Sequence, residues 1–366
     1  MICTTVGGMA QVVSNLRKTT IFTRFRVRLI VTHEQGGVLR RITIFMRALA
    51  EFTHLLLTAR VELVHAHVAA HGSFWRKSAF LSLTRLFRRP TVLHLHGSEF
   101  KDFYEKECGT VRRRLIRHIL EHASTVIVLS ERLHAYVGTV APAARLVTIH
   151  NFVDAGRLRS EAERASVARS SNIILFLGLI GRRKGIYDLV RALPQVVNAI
   201  PEVLLIAGGR GELDDVRRCA RDVGVEDHLL LPGFVSGKEK MRLLAEAAIY
   251  VLPSYNEGVP VSILEAMSVG LPIISTPVGG IPDVIRDGEE GFWVTPGSTD
   301  ELSRRIIELL GNKELRERMG ENGRRRLHSE FSSEVAVSAI TALYQAHGAQ
   351  TLFFSESSPS SPIKEA

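Results

Sequence analysis

Short apolar runs alternate with longer stretches of helical periodicity along most of the chain. Runs of strand length fall at residues 26–32, 61–67, 91–96, 125–129 and 146–150. They return at 172–177, 203–207, 229–231, 249–252, 272–275 and 291–294. Helix-compatible segments lie between them, among them 10–16, 39–57, 111–122, 213–223 and 237–247. After Gly185, residues Leu189, Val190, Leu193, Val196 and Val197 share one helical face. Strands alternating with helices predict an α/β fold with parallel sheets covered on both faces. Residues 157–171 are polar and lack apolar periodicity, so they are the expected linker between two similar units, 1–160 and 171–332. A last amphipathic helix is expected over 333–348, ahead of a Ser- and Pro-containing tail, 351–366, expected to be disordered.

Composition sharpens that picture in three places. A chain of 366 residues is too long for one ordinary core, which agrees with two domains. The three cysteines, Cys3, Cys108 and Cys219, are scattered and fit neither a disulfide framework nor a metal spacing, which predicts a reducing, cytoplasmic setting. No secretory signal is expected, nor any spanning helix, since no run of about 18 residues is apolar and uninterrupted. Charge is uneven: residues 1–165 hold 25 Lys and Arg against 12 Asp and Glu, and the remainder 22 against 26. A basic first half points to an anionic partner, nucleic acid or the anionic face of a membrane, or is simply a solvated surface. Basic stripes interleaved with aromatics are absent, which weighs against nucleic acid.

The candidate chemistry centres on residues 250–270. A short strand leads into a loop holding Glu257, Gly258 and Val259, and a helix follows from about Pro260, with Glu265 on it. Backbone N–H groups at Gly258 and Val259, with the positive end of a helix dipole, suit hydroxyl or phosphate oxygens. The two carboxylates could hold two parts of one polar ligand, or serve as a helix cap and a solvated side chain. A second candidate is Gly178 to Gly185, where Arg182, Arg183 and Lys184 follow an apolar strand and would suit a diphosphate. Near the start, Gly7 and Gly8 precede a helix, allowing close approach to a phosphate or a plain tight turn. His67, His96 and Asn151 lie at predicted strand ends, where ligands bind in such sheets. His94 and His96 share a sheet face, yet no third ligand follows at a metal-site spacing. A hydrogen-bonding or proton-handling role for His96 is the better expectation, with a purely structural histidine as its rival.

Taken together, several motifs resemble the retaining glycosyltransferase group 4. They are Phe176-Leu-Gly178, Arg183-Lys184-Gly185, Ala207-Gly208-Gly209, Pro232-Gly233-Phe234, Leu252-Pro253-Ser254, Glu257-Gly258, Glu265-Ala266 and Gly279-Gly280. The likeness is strong over 172–345 and weaker over 1–155, where it rests on Gly7-Gly8, His96-Gly97 and Asn151. It implies two Rossmann-like domains facing across a cleft (the GT-B fold), with the last helix crossing back to the first domain. By that resemblance Glu257 faces the donor sugar, the Gly258–Pro260 backbone binds its hydroxyls, and Glu265 anchors the ribose. Arg183 and Lys184 would hold the diphosphate, Phe234 would lie beside the base, Gly8 would approach the phosphates, and His96 would sit near the reacting sugar. The implied activity needs no metal and no cofactor beyond a UDP- or GDP-linked co-substrate, with a glycan or lipid-linked acceptor. Two departures stand out: Leu179 occupies a position where the family usually has Arg, and the first strand is short. A sugar-nucleotide epimerase of the same fold and a degenerate, non-catalytic member are the competing readings.

Overall fold

The computed structural model describes residues 2–3, 8–34, 36–58, 61–165 and 167–351. Its strands form two six-stranded sheets whose recorded pairings are all parallel. The first holds β1 (Ile2–Cys3), β2 (Ile30–Val31), β3 (Val64–Val68), β4 (Thr91–Leu95), β5 (Thr125–Val128) and β6 (Leu146–Thr148), in the order β2-β1-β3-β4-β5-β6. The second holds β7 (Ile173–Leu177), β8 (Leu204–Gly208), β9 (Leu229–Gly233), β10 (Ile249–Leu252), β11 (Ile273–Ser275) and β12 (Gly291–Trp293), in the order β12-β11-β10-β7-β8-β9. Strands β3, β4, β5, β7, β10 and β11 are buried at every residue, because helices cover both faces. In the second sheet the strand order reverses between β7 and β10, and a crevice opens at the strand ends there.

The two sheets turn their C-terminal ends toward one another. Loops after β5 and β6 meet loops after β10 and β11: the Asn151 side-chain amide donates to the Val259 carbonyl at 2.7 Å, and Arg132 to the Pro277 carbonyl at 3.1 Å. The Asp283 carboxylate accepts from the Glu131 N–H at 2.7 Å. The helix Ser333–Ala346 does cross back to the first domain. Its Ala336, Ile340 and Tyr344 pack in one cluster with Leu16, Ile21, Val92, Ile127, Ile149 and Phe152. At the crossing two segments run side by side, Val153 N–H to Phe331 O at 3.2 Å and Ser333 N–H to Val153 O at 3.0 Å.

Several local expectations change. Much of the expected linker is a helix, Ala155–Arg164, capped by Asp154 at 2.9 Å and buried through Leu158 and Ala162. Two apolar contacts four residues apart suffice there, with Arg157–Glu161 and Arg159–Glu163 pairs on the exposed side. The strand expected over 26–32 shrinks to Ile30–Val31, and the tail beyond residue 351 lies outside the described residues.

A long polar helix, Lys313–Glu330, escapes the periodicity argument altogether. It packs on the helix Val261–Ser268, which carries Glu265, through Gly320 and Gly323. A β-carbon at Gly320 would stand 2.1 Å from the Gly270 carbonyl oxygen, whereas one at Gly323 would meet Met267 at an ordinary 3.6 Å. Gly320→Ala should therefore cost about 1–3 kcal/mol through overpacking, while Gly323→Ala should be neutral or gain up to about 1 kcal/mol of helix propensity. Urea denaturation of the two variants checks this, and equal midpoints would contradict the packing argument.

Candidate active site

Glu257 sits where β10 ends, beside the end of β7, and is buried. A carboxylate taken this far from water needs compensating partners. Lys184 supplies a cation to its Oε1, and the Ser254 hydroxyl donates to the same oxygen at 2.7 Å. Lys184 reaches it from a single 3-10 turn, Arg182–Lys184, after β7. That turn is tied to the Glu257 loop twice more: Tyr255 N–H to Arg183 O at 2.9 Å, and the Arg183 guanidinium to Asn256 O at 3.2 Å. On the other side Gly279, at φ +56°, lets its loop press on the Glu257 carbonyl, where a β-carbon would stand 1.7 Å from the oxygen. The N–H groups of Gly258 and Val259 take no acceptor among the described residues, and Pro260 at the N-cap of the following helix has no N–H to offer. The loop thus presents two free donors beside a paired carboxylate.

Glu265 does not share a partner with Glu257. It is buried one helix further on, and Lys240, from the helix Gly237–Glu246, meets its Oε1 at 2.6 Å. Phe234, just after β9, is 62% exposed, and the Arg210 guanidinium lies 4.5 Å over its ring. An exposed ring stacked by a cation is a flat face ready for a heteroaromatic base. Leu179 is exposed where the resemblance leads one to expect arginine. The nearby cations divide unevenly: Arg182 lies over Tyr187 at 5.5 Å, Arg183 faces Asn256, and Arg210 stands at the end of β8.

In the first domain, Gly8 is the first residue of the helix Gly8–Arg17, while Gly7 lies outside the described residues. His96 follows β4 and extends its ladder, donating its N–H to Val68 O at 2.6 Å. Its Nε2 is 2.7 Å from Nδ1 of His67 on β3. Register pairs His67 with His94, so His65, His67, His94 and His96 line one face. Burial lowers all four pKa values: His65 and His96 to about 3, His67 and His94 well below their ordinary value, with Lys77 a second cause at His96. Proton handling by His96 near neutral pH is therefore set aside; hydrogen bonding remains. His65, His67 and His94 stand close enough for a shared metal ion. Two of the nitrogens such an ion would need are already engaged with each other, His65 Nε2 standing 3.2 Å from His94 Nδ1.

The chain resembles known proteins both in sequence and in fold. The family described as Glycosyl transferases group 1 covers residues 159–326, and Glycosyltransferase Family 4 covers residues 6–157. The chain belongs to this glycosyltransferase family. Among its relatives, an N-acetyl-alpha-D-glucosaminyl L-malate synthase of Bacillus anthracis is 27% identical over 78% of this chain and 74% of its own. An alpha-D-kanosaminyltransferase of Streptomyces kanamyceticus is 26% identical over 78% and 77%. The GT-B fold is shared with the Anabaena protein HepE, solved with UDP, at a TM-score of 0.75 and 18% identity, covering 94% and 99% of the two chains. A sucrose-phosphate synthase of Thermosynechococcus elongatus superposes with a TM-score of 0.73, at 22% identity over 94% and 95%.

In this glycosyltransferase, then, Lys184 and Glu257 meet directly, Arg183 supports their loop, and Val259 faces the first domain through Asn151. Glu265 and Phe234 stand apart from that pair, each with a cation that the sequence did not single out, Lys240 and Arg210. Removing one partner of a buried ion pair costs about 3–5 kcal/mol. Lys184→Met should accordingly lower stability toward the bottom of that range, because Lys184 retains some exposure, and Glu257→Gln in the same chain should restore most of it. Chemical denaturation of the two singles and the double variant measures the coupling; strictly additive losses would show that the pair is not one unit.

Proposed function

We propose that this glycosyltransferase moves a sugar, with retention at the anomeric carbon and without a metal ion, from a UDP- or GDP-linked donor to a glycan or lipid-linked acceptor. The observation that carries the reading is the Lys184–Glu257 pair beside the free Gly258 and Val259 N–H groups, at the switch point of the second sheet. Negative charge develops on the leaving diphosphate as the glycosidic bond breaks, and fixed cations and N–H donors stabilise charge best where it appears. Arg183 and Lys184 meet that need, while Glu257 holds the sugar through its hydroxyls. Retention by two flanking carboxylates would require a second free one near Glu257. Glu265 is held by Lys240 instead, which favours same-face attack with the departing phosphate taking the acceptor's proton. Phe234 with Arg210 serves the base, Glu265 the ribose, and Gly8 and His96 close the site from the first domain.

The membrane part of the proposal rests on the helix Val38–Thr58. Its inner face buries Ala48, Phe52 and Leu56, yet Val38, Leu39, Ile42, Met46 and Leu57 are exposed, with Arg40, Arg41 and Arg47 among them. Apolar side chains outside a basic first half suit the interface of an anionic leaflet, here the cytoplasmic face, where growing surface polysaccharide is lipid-linked. Among the described residues no helix is long and apolar enough to cross a membrane.

Two experiments test the reading. A panel of nucleotides and nucleotide sugars should raise the melting temperature only for the matching donor. With that donor, Glu257→Gln and Lys184→Met should each lose transfer by roughly a hundredfold or more, the scale of a lost transition-state contact; product NMR showing an epimerised nucleotide sugar would replace transfer by epimerisation. Separately, the protein should sediment with phosphatidylglycerol vesicles at low salt, leave them at high salt, and bind weakly as Leu39→Asp/Met46→Asp. Salt-insensitive binding, or none, removes the membrane from the proposal.

A further inference from the structure

The four histidines of β3 and β4 form two hydrogen-bonded pairs that stack on one another. Tyr344 of the crossover helix meets His65 Nδ1 at 2.6 Å, and His65 Nε2 meets His94 Nδ1 at 3.2 Å. His67 Nδ1 meets His96 Nε2 at 2.7 Å. The pairs touch through their faces, His65 on His67 with centroids 4.5 Å apart and His94 on His96 at 4.2 Å. Two buried ring nitrogens, Nε2 of His67 and Nε2 of His94, have no partner among the described residues.

The orphan on His67 locates its proton. A neutral imidazole has one N–H donor and one acceptor nitrogen. A buried N–H without an acceptor is rarer and costlier than an unsatisfied lone pair. The orphan nitrogen of His67 is therefore the acceptor, and His67 carries its proton on Nδ1. His67 then donates to His96, so His96 Nε2 accepts and the His96 proton also lies on Nδ1. We propose that His67 is a positioning residue that fixes His96 as its Nδ1–H tautomer, making His96 a neutral hydrogen-bond donor to a ligand oxygen at the cleft. That N–H has no acceptor among the described residues, and the ring keeps some exposure at the end of β4. Free histidine side chains in water favour the opposite tautomer, so the contact from His67 changes what His96 offers. Its importance for transfer rests on the proposed place of His96 beside the donor sugar; its effect on the tautomer does not.

Long-range ¹⁵N–¹H correlation spectra of the ¹⁵N-histidine-labelled protein at neutral pH read each tautomer directly. His96, assigned by its loss in His96→Gln, is expected as the Nδ1–H form in the unliganded protein. It should stay so in His67→Asn, whose amide can donate from nearly the same place, and shift toward Nε2–H in His67→Leu. An Nε2–H His96 in the unaltered protein, or one unchanged in His67→Leu, overturns the inference. Backbone amide spectra show whether each variant is folded, and His67→Asn keeps the test decisive if His67→Leu is not. With the donor found in the nucleotide panel, His67→Leu should lower kcat about tenfold or more, since a lost transition-state donor costs about a hundredfold or more. KM should change less, and His67→Asn should recover most of the loss. A panel that finds no donor refutes the proposed function and leaves the spectra to decide the tautomer.

Discussion

A carboxylate removed from water at the end of a parallel strand is the constraint on which the second domain depends. Buried there, the Glu257 side chain needs a cation and a donor beside it, and Lys184 and Ser254 provide both. Bringing Lys184 within reach fixes the turn after β7, and that turn is locked to the Glu257 loop through the Arg183 and Tyr255 backbones. The glycine loop at Gly279 closes the other side and carries the contacts to the first domain. One buried charge thus sets the shape of three loops from three strands. The same charge costs stability, which the packed helices beneath it supply: Val261–Ser268 is buried almost throughout, with the glycine face of Lys313–Glu330 against it.

The first domain solves a different problem, since its polar cluster carries no compensating carboxylate. Four imidazoles in an apolar sheet face remain neutral, and stacking together with hydrogen bonds to one another and to Tyr344 covers most of their polar atoms. The crossover helix is part of that solution: Tyr344 closes the series and Ile340 and Ala336 complete the core beside it. The second domain therefore brings a buried ion pair to the junction, and the first a cluster of neutral imidazoles. Under the proposed function, charge stabilisation would belong to the second domain and directional hydrogen bonding to the first.

Much of this was legible because buried parallel strands leave continuous apolar runs, and because the Glu257, Glu265 and Arg183-Lys184 motifs stand at their ends. What stayed hidden has particular physical causes. The helix Lys313–Glu330 packs through glycines, which contribute close approach and no hydrophobic signal. The helix Ala155–Arg164 buries only Leu158 and Ala162, too little for a period to show in a polar segment. Lys240 and Arg210 look like any surface cation in sequence; only folding sets one on Glu265 and the other on Phe234. His94 and His96 were visible as a same-face pair, but their partners His65 and His67 come from the neighbouring strand, and spacing along one strand cannot report register between two.

The division between the two domains also explains how the site can lack arginine at Leu179. Under the proposed function a diphosphate needs local positive charge more than any one guanidinium, and the single turn after β7 brings both Arg183 and Lys184 to the strand end, while Arg210 after β8 lies over Phe234. Lys184 is already paired with Glu257, so under the proposed function a phosphate would share an existing cation rather than recruit a solvated one. Such sharing would weaken the hold of Lys184 on Glu257 while the diphosphate is bound, and so would couple donor binding to the freedom of Glu257, which its loop contacts otherwise restrict.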